Sequence, residues 1–240
     1  MMKIVAFVTC LILFVSTALS DAAAKKGAST PIQLIETGQF HGDEITAQTG
    51  EQWLGLYPAG SDCVLIPSTL TVEAVHDEIV DQDPEVKTGK RVSVDLYPDP
   101  IFLLKGAEML QPGLVATVFE ESKSLSNGDI VELKLFEKEY QLRVEGESSP
   151  TFDYITPDSK LLLTIGERTQ VLYSLEGSGG INDPNWHLIW AGDLDGDAQL
   201  DLYMDLSFHY NISQRKLFLS TQARKGNLVK EAATFVTSGC

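Results

Sequence analysis

The sequence predicts an all-β protein, an antiparallel meander closed into a sandwich or an open barrel, with little helix. Three observations carry that expectation. No stretch of ten to twelve residues places apolar side chains at convincing helical spacing. Short apolar runs alternate with polar residues at period two and come in pairs joined by tight turns, the pattern of hairpins with one wet face. With 43% hydrophobic residues, a single sheet would leave an apolar face in water, so a second layer must cover it.

The strands follow in order. Gln52-Trp-Leu-Gly-Leu-Tyr57 reads as one, the turn Pro58-Ala-Gly-Ser-Asp62 ends it, and Cys63-Val-Leu-Ile66 opens the next. Thr69 to Val75 is rich in β-branched residues, which suit a pleated surface. An acidic loop, Asp77 to Asp83, closes at Pro84, and Arg91 to Leu96 alternates until Pro98 and Pro100 stop it. Between 101 and 125, Gly106 and Pro112-Gly113 break the chain too often for a helix, leaving strands at Ile101–Leu104 and Leu114–Phe119. Val131, Leu133 and Leu135 pair across a turn at 137–139 with Tyr140, Leu142 and Val144. Leu161, Leu163 and Ile165 pair across Gly166-Glu-Arg168 with Val171, Tyr173 and Leu175. A third hairpin brings Trp186, Leu188 and Trp190 into an acidic loop and Leu200 to Phe208 out of it. Leu217–Leu219 and Thr234–Thr237 complete the set. Residues 21–50 read as a flexible lead and a weakly structured segment, 51–240 as the β-rich domain. If there are two lobes, the boundary falls near 146–159.

The first residues carry an export signal. Met1-Met2-Lys3 gives a small positive start, Ile4 to Val15 is almost wholly apolar, and Ala18-Leu-Ser20 supplies small residues for cleavage before Asp21. Ala22-Ala-Ala24 offers a second cleavage position, before Lys25. The apolar run is short of the roughly 20 residues a spanning helix needs, and no later stretch is long and apolar enough to cross a membrane. The expected location is periplasmic or extracellular. The chain has 18 basic and 34 acidic residues, a net charge of −16. That excess excludes nucleic acid as a natural partner, since binding it depends on neutralising phosphates.

Once residues 1–20 are removed, Cys63 and Cys240 are the remaining cysteines. In an oxidising compartment each has only the other as an intramolecular partner, so a Cys63–Cys240 disulfide is expected. Free thiols or an intermolecular bond are the alternative.

One stretch names a chemistry. In Asp193-Leu-Asp-Gly-Asp-Ala-Gln-Leu-Asp201, four carboxylates fall at positions 1, 3, 5 and 9 of a short loop, with Gly196 at the sharp turn. Calcium takes six to eight oxygen ligands in a loose shell, and carboxylates at alternate positions of a turn can wrap it. Asp193, Asp195 and Asp197 aim inward, Gln199 can offer its backbone carbonyl, and Asp201 closes the ring. The bland alternative is a solvated acidic turn whose aspartates serve turn propensity. A helical EF-hand fits poorly. Its position-6 glycine is Ala198 here, its position-12 glutamate is Met204, and no flanking helix is visible.

The stretch resembles instead the strand-loop-strand calcium hairpin of FG-GAP repeats, as in integrin α-subunit propellers, over about residues 188–206. The departure from that pattern is Ala198 in place of a second glycine. With one copy, the resemblance implies a metal hairpin and no propeller, and it implies that the ion is structural. The string from Trp190 to Ser207, with His209-Tyr-Asn211 and the terminal cysteine, also looks like exported bacterial proteins of unassigned function.

Other candidates are weaker. His41, His76, His187 and His209 show no ligand spacing for zinc. His187, six residues before Asp193, could reach the neighbourhood of the loop. Glu176-Gly-Ser-Gly-Gly180 lacks the Gly-x-Ser-x-Gly elbow of a nucleophilic serine. Trp53, Trp186 and Trp190 read as core, although exposed they would make a sugar-binding platform. Asn211-Ile-Ser213 is a glycosylation sequon relevant only in a eukaryotic secretory route. Two functions follow as expectations: an exported, calcium-stabilised, non-enzymatic module with a protein or carbohydrate partner, or a hydrolase of polysaccharide or envelope polymer that uses paired carboxylates.

Overall fold

The computed structural model describes residues 31–147 and 154–239. The expected export signal and Cys240 lie outside the described residues. Among those described there is no helix, and hence none long and apolar enough to cross a membrane. The chain is all-β, as the alternation and turn spacing predict.

Seventeen strands follow in order: β1 (Gln33–Ile35), β2 (Gly38–Phe40), β3 (Gln52–Ala59), β4 (Asp62–Val75), β5 (Gly89–Val94), β6 (Phe102–Lys105), β7 (Gly113–Val115), β8 (Thr117–Phe119), β9 (Lys123–Leu125), β10 (Ile130–Leu135), β11 (Lys138–Glu145), β12 (Lys160–Ile165), β13 (Arg168–Ser174), β14 (Asn185–Gly192), β15 (Asp201–Ser207), β16 (Ile212–Leu219) and β17 (Lys230–Ser238). They form three sheets. The first runs β1-β6-β3-β4-β5-β2, with β7 on β4; a four-stranded meander runs β10-β11-β12-β13; the third runs β17-β16-β15-β14-β8, with β9 also on β14. Every strand pairing is antiparallel.

The third sheet is central because both its faces are covered. All seven residues of β15 are buried. Its Tyr203 joins Leu56, Leu65, Phe102 and Leu103 in a core shared with the first sheet. Its Leu202, Met204 and Leu206 join Leu133, Leu142, Leu161 and Leu163 in a core shared with the meander. The apolar run of 200–206, broken only by the buried Asp201 and Asp205, is therefore what a two-sided strand requires.

Four sequence expectations change. Cys63–Ile66 and Thr69–Val75 belong to one long strand, β4, whose first half pairs with β3 and whose second half pairs with β5. Leu114–Phe119 is two strands. β7 pairs with β4 in the first sheet and β8 with β14 in the central one, so the chain changes sheets at Ala116. Residues 32–50, expected to be weakly structured, bury Leu34, Ile35, Ile45 and Ala47 in the first core. The lobe boundary near 146–159 also fails. β11 and β12 flank it and pair along six residues of one sheet, with residues 148–153 outside the described set.

The expected Cys63–Cys240 pairing has one partner, Cys240, outside the described residues. Cys63 is a free thiol with no exposed surface, its Sγ 3.3 Å from Glu120 Oε2. Burial pushes the thiol up to about 11. Gly239 shares a cleft with Val75 and Gly89 at the far end of β4, and Cys63 stands twelve residues earlier on that strand, roughly 40 Å along it at 3.3 Å per residue.

Candidate metal centre

The acidic loop joins β14 to β15, and its approach depends on an irregularity the sequence conceals. Strict alternation would put Trp186, Leu188 and Trp190 on one face. The pairing with β15 slips between Leu188 and Trp190. Trp186 and Leu188 consequently point into the meander core, whereas Trp190 points into the first core against Phe102. Such a bulge re-aims the chain that follows it. All three tryptophans, Trp53 included, are buried, so none forms a sugar platform.

Gly192 then passes close beneath β8. A Cβ at that position would lie 2.3 Å from the Ala116 carbonyl oxygen and 2.5 Å from the Trp190 ring. The next amide, of Asp193, donates to the same Ala116 carbonyl at 2.9 Å. The crossover between sheets thus fixes the first residue of the loop. Gly196 takes φ 75°, and Ala198 takes φ 59°, a left-handed conformation at the position where calcium hairpins favour glycine.

Within this frame Asp193, Asp195 and Asp197 each present a carboxylate oxygen within 4.8 Å of the others. Asp193 is buried, only 8% exposed, and Asp195 and Asp197 are half-buried. Their outer oxygens are engaged. Asp193 Oδ2 accepts from the Ala198 amide at 3.0 Å, and Asp195 Oδ2 accepts a short hydrogen bond from the Thr221 hydroxyl. Asp197 accepts from the Gln199 amide and side chain, both at 2.8 Å. Two oxygens are left over: Asp193 Oδ1 and Asp195 Oδ1 are buried with no hydrogen-bond partner. A buried carboxylate oxygen without a donor costs on the order of 1–3 kcal/mol or more, and three carboxylates this close repel one another as well. Burial, opposed by the Thr221 hydroxyl, and then the charges of Asp197 and Asp193 hold Asp195 above the usual carboxylate range. A divalent cation among the three would reverse each of these penalties. Hard oxygen donors with no sulfur or imidazole nearby suit calcium better than zinc.

Asp201 does a different job. It has no exposed surface, and it is not one of the three clustered carboxylates. Its Oδ2 accepts from the Leu194 amide at 2.8 Å and its Oδ1 from the Ser220 amide at 2.7 Å. Burial, reinforced by the Asp195 charge, raises its pKa well above the ordinary value. It braces the loop against the turn that follows β16. Gln199 flanks Asp197 on the exposed side of the loop.

Three residues that sequence reasoning missed complete the surroundings. Thr221 holds Asp195, the Lys138 ammonium donates to the Ala198 carbonyl at 2.7 Å, and buried Tyr140 packs close enough to feel the charges of Asp197, Asp201 and Asp193. They come from the turn after β16 and from β11, at sequence separations of 26 and 60 for the two printed hydrogen bonds. No local pattern marks them.

The remaining sequence candidates go elsewhere. His187 is partly buried, which lowers its pKa, and it senses Asp205 and Arg215 rather than the loop. His41 meets Asp77 at 2.5 Å, and His76 lies 3.7 Å from Asp81. His209 bonds to Asn211, part of the sequon. Another pair of shielded carboxylates, Glu36 and Asp205, is bridged by Arg215, with Tyr203 donating to Glu36 at 2.7 Å. That arrangement sets one guanidinium between two carboxylates. No family model, no characterised protein and no solved structure matches this chain.

Proposed function

We propose that the protein is an exported calcium-binding β protein, a non-enzymatic binding or envelope-associated module in which the ion holds the Asp193–Asp201 hairpin in shape. One observation carries the metal reading: the buried, unpartnered oxygens of Asp193 and Asp195 converge with a third carboxylate, Asp197. An acidic turn built for solvent would leave its carboxylates in water, and it would not bury two oxygens without donors. The loop is also tied to three other elements, through Ala116, Lys138 and the 220–221 turn. An ion there fastens the junction of all three sheets, which favours a structural role. Export rests on the apolar, basic-headed start of the sequence, and the net charge of −16 suits a compartment supplied with calcium.

Calcium titration calorimetry and thermal melting test this reading. The expected dissociation constant is on the order of 10⁻⁴–10⁻³ M, the range of extracellular modules. Asp193→Asn keeps the shape and one acceptor for the Ala198 amide but removes the charge, and it should abolish both the binding heat and the calcium-dependent rise in Tm. A wild-type Tm that is the same in calcium and in chelator would refute the proposal.

A further inference from the structure

We propose a docking site for a cationic peptide segment, one carrying aliphatic residues beside its lysines or arginines, in the acidic cleft between the turn after β2 and the β4–β5 loop. Two adjoining depressions, of about 260 and 570 Å³, share His41, Asp77, Ile79 and Ser238 on their walls. Beside them Ile79 and Val80 are 55% and 57% exposed, and Val86 is 42% exposed. Adjacent aliphatic residues on a mobile loop could fold inward, but this loop is held. Asp77 Oδ1 accepts the Ile79 and Val80 amides at 3.1 and 3.3 Å. Asp81 Oδ2 accepts the Asp77 and Thr88 amides, each at 2.9 Å. His41 Nδ1, 2.5 Å from Asp77 Oδ2, ties the opposite wall to the same carboxylate. The backbone therefore presents Ile79 and Val80 to solvent in a fixed geometry, which lowers the ordering cost a partner would meet.

Charge selects the partner. Residues 41–44 hold two carboxylates and residues 76–88 hold five, seven in all, against one lysine, Lys87. The buried acids, Asp77 and Asp81, are occupied by amides and histidines. Of the five without a cation among the described residues, Glu44 is taken up by the His41 amide and Ser238, and Asp43, Glu78, Asp83 and Glu85 are exposed, with Asp43 and Glu78 on the walls of the depressions. Unpaired rim acids around a fixed aliphatic pair complement a segment that alternates basic and aliphatic side chains, with the rim setting encounter rate and the apolar pair setting lifetime. A metal ion is the poorer occupant, because the free carboxylates are spread over the rim.

The test is titration of isotopically labelled protein, followed by NMR, with a short amidated peptide of alternating lysine and leucine. Shifts confined to 41–44 and 76–88 are expected. A peptide with glycine for every leucine should bind at least about tenfold more weakly, as should the doubly substituted protein Ile79→Ser, Val80→Ser toward the leucine peptide. Both positions are exposed, so an unchanged Tm verifies that this variant folds. Equal binding by the two peptides, or unchanged binding by the variant, would mean bare attraction to an acidic protein and would overturn the proposal. So would shifts elsewhere, or self-association of the free protein that the double substitution abolishes, since the occupant would then be a second copy.

Discussion

Ala198 sits in a left-handed backbone conformation that costs an L-residue about 1–2 kcal/mol, yet its amide is one of the donors that orient Asp193. The loop tolerates the strain because the Lys138 ammonium holds the Ala198 carbonyl and Asp193 holds its amide, fixing the peptide groups on both sides. Glycine at this position removes the clash without disturbing either bond. Ala198→Gly should therefore stabilise the protein by about 1 kcal/mol, raising Tm by roughly 2–4 °C for a chain of this size, as read by calorimetry in chelator. An unchanged or lower Tm would mean that the loop relaxes the strain in another way. The same scale separates the four aspartates. Those at positions 1, 3 and 5 gather oxygens, and the one at position 9 spends both of its oxygens on amides.

At the scale of elements, the loop is aimed by the strands that meet beneath it. The slip between Leu188 and Trp190 swings Trp190 into the first core and lets Gly192 slide under β8. Gly192→Ala would force its methyl against the Ala116 carbonyl and the Trp190 ring, neither of which can swing away freely. Overpacking of this kind costs about 1–3 kcal/mol, so Tm should fall by at least 2 °C or so. Since Ala116 also anchors the Asp193 amide, the substitution should weaken calcium binding as well. A variant that loses stability but binds calcium with wild-type affinity would show that the crossover does not position the loop. The strand pairs themselves were legible because alternation at period two survives along β10–β11 and on either side of the slips in β12–β13 and β14–β15. The bulge was not, since it changes which face a residue occupies without changing the residues.

For the molecule as a whole, the central sheet separates two cores, and Cys63 reports on the one shared with the first sheet. Its thiol is fully buried and its pKa is raised by that burial, so alkylation requires the chain to open. Iodoacetamide at mildly alkaline pH should leave Cys63 unlabelled in the native protein, as read by peptide mass, and its labelling should appear along the same urea curve as the loss of β-sheet signal. Calcium at about a hundred times its dissociation constant should slow labelling about a hundredfold, the effect of roughly 2.7 kcal/mol of linkage. Fast labelling of Cys63 in the folded protein would show that the first sheet opens on its own.

The sequence by itself determined that the chain is all-β, where most hairpins turn, and that one loop gathers acid at alternate positions. These are local properties, set by side-chain period, turn residues and spacing within a few residues. Only the tertiary structure decided that the strand leaving that loop is buried on both faces, that β7 and β8 divide between two sheets, and that Cys63 stands far from the end of β17. It also decided which aspartates carry unpartnered oxygens, because Thr221, Ser220 and Ala116 supply or withhold the donors. Those partners arrive from 19 to 77 residues away, and a local pattern holds no record of a neighbour brought in by the packing of sheets.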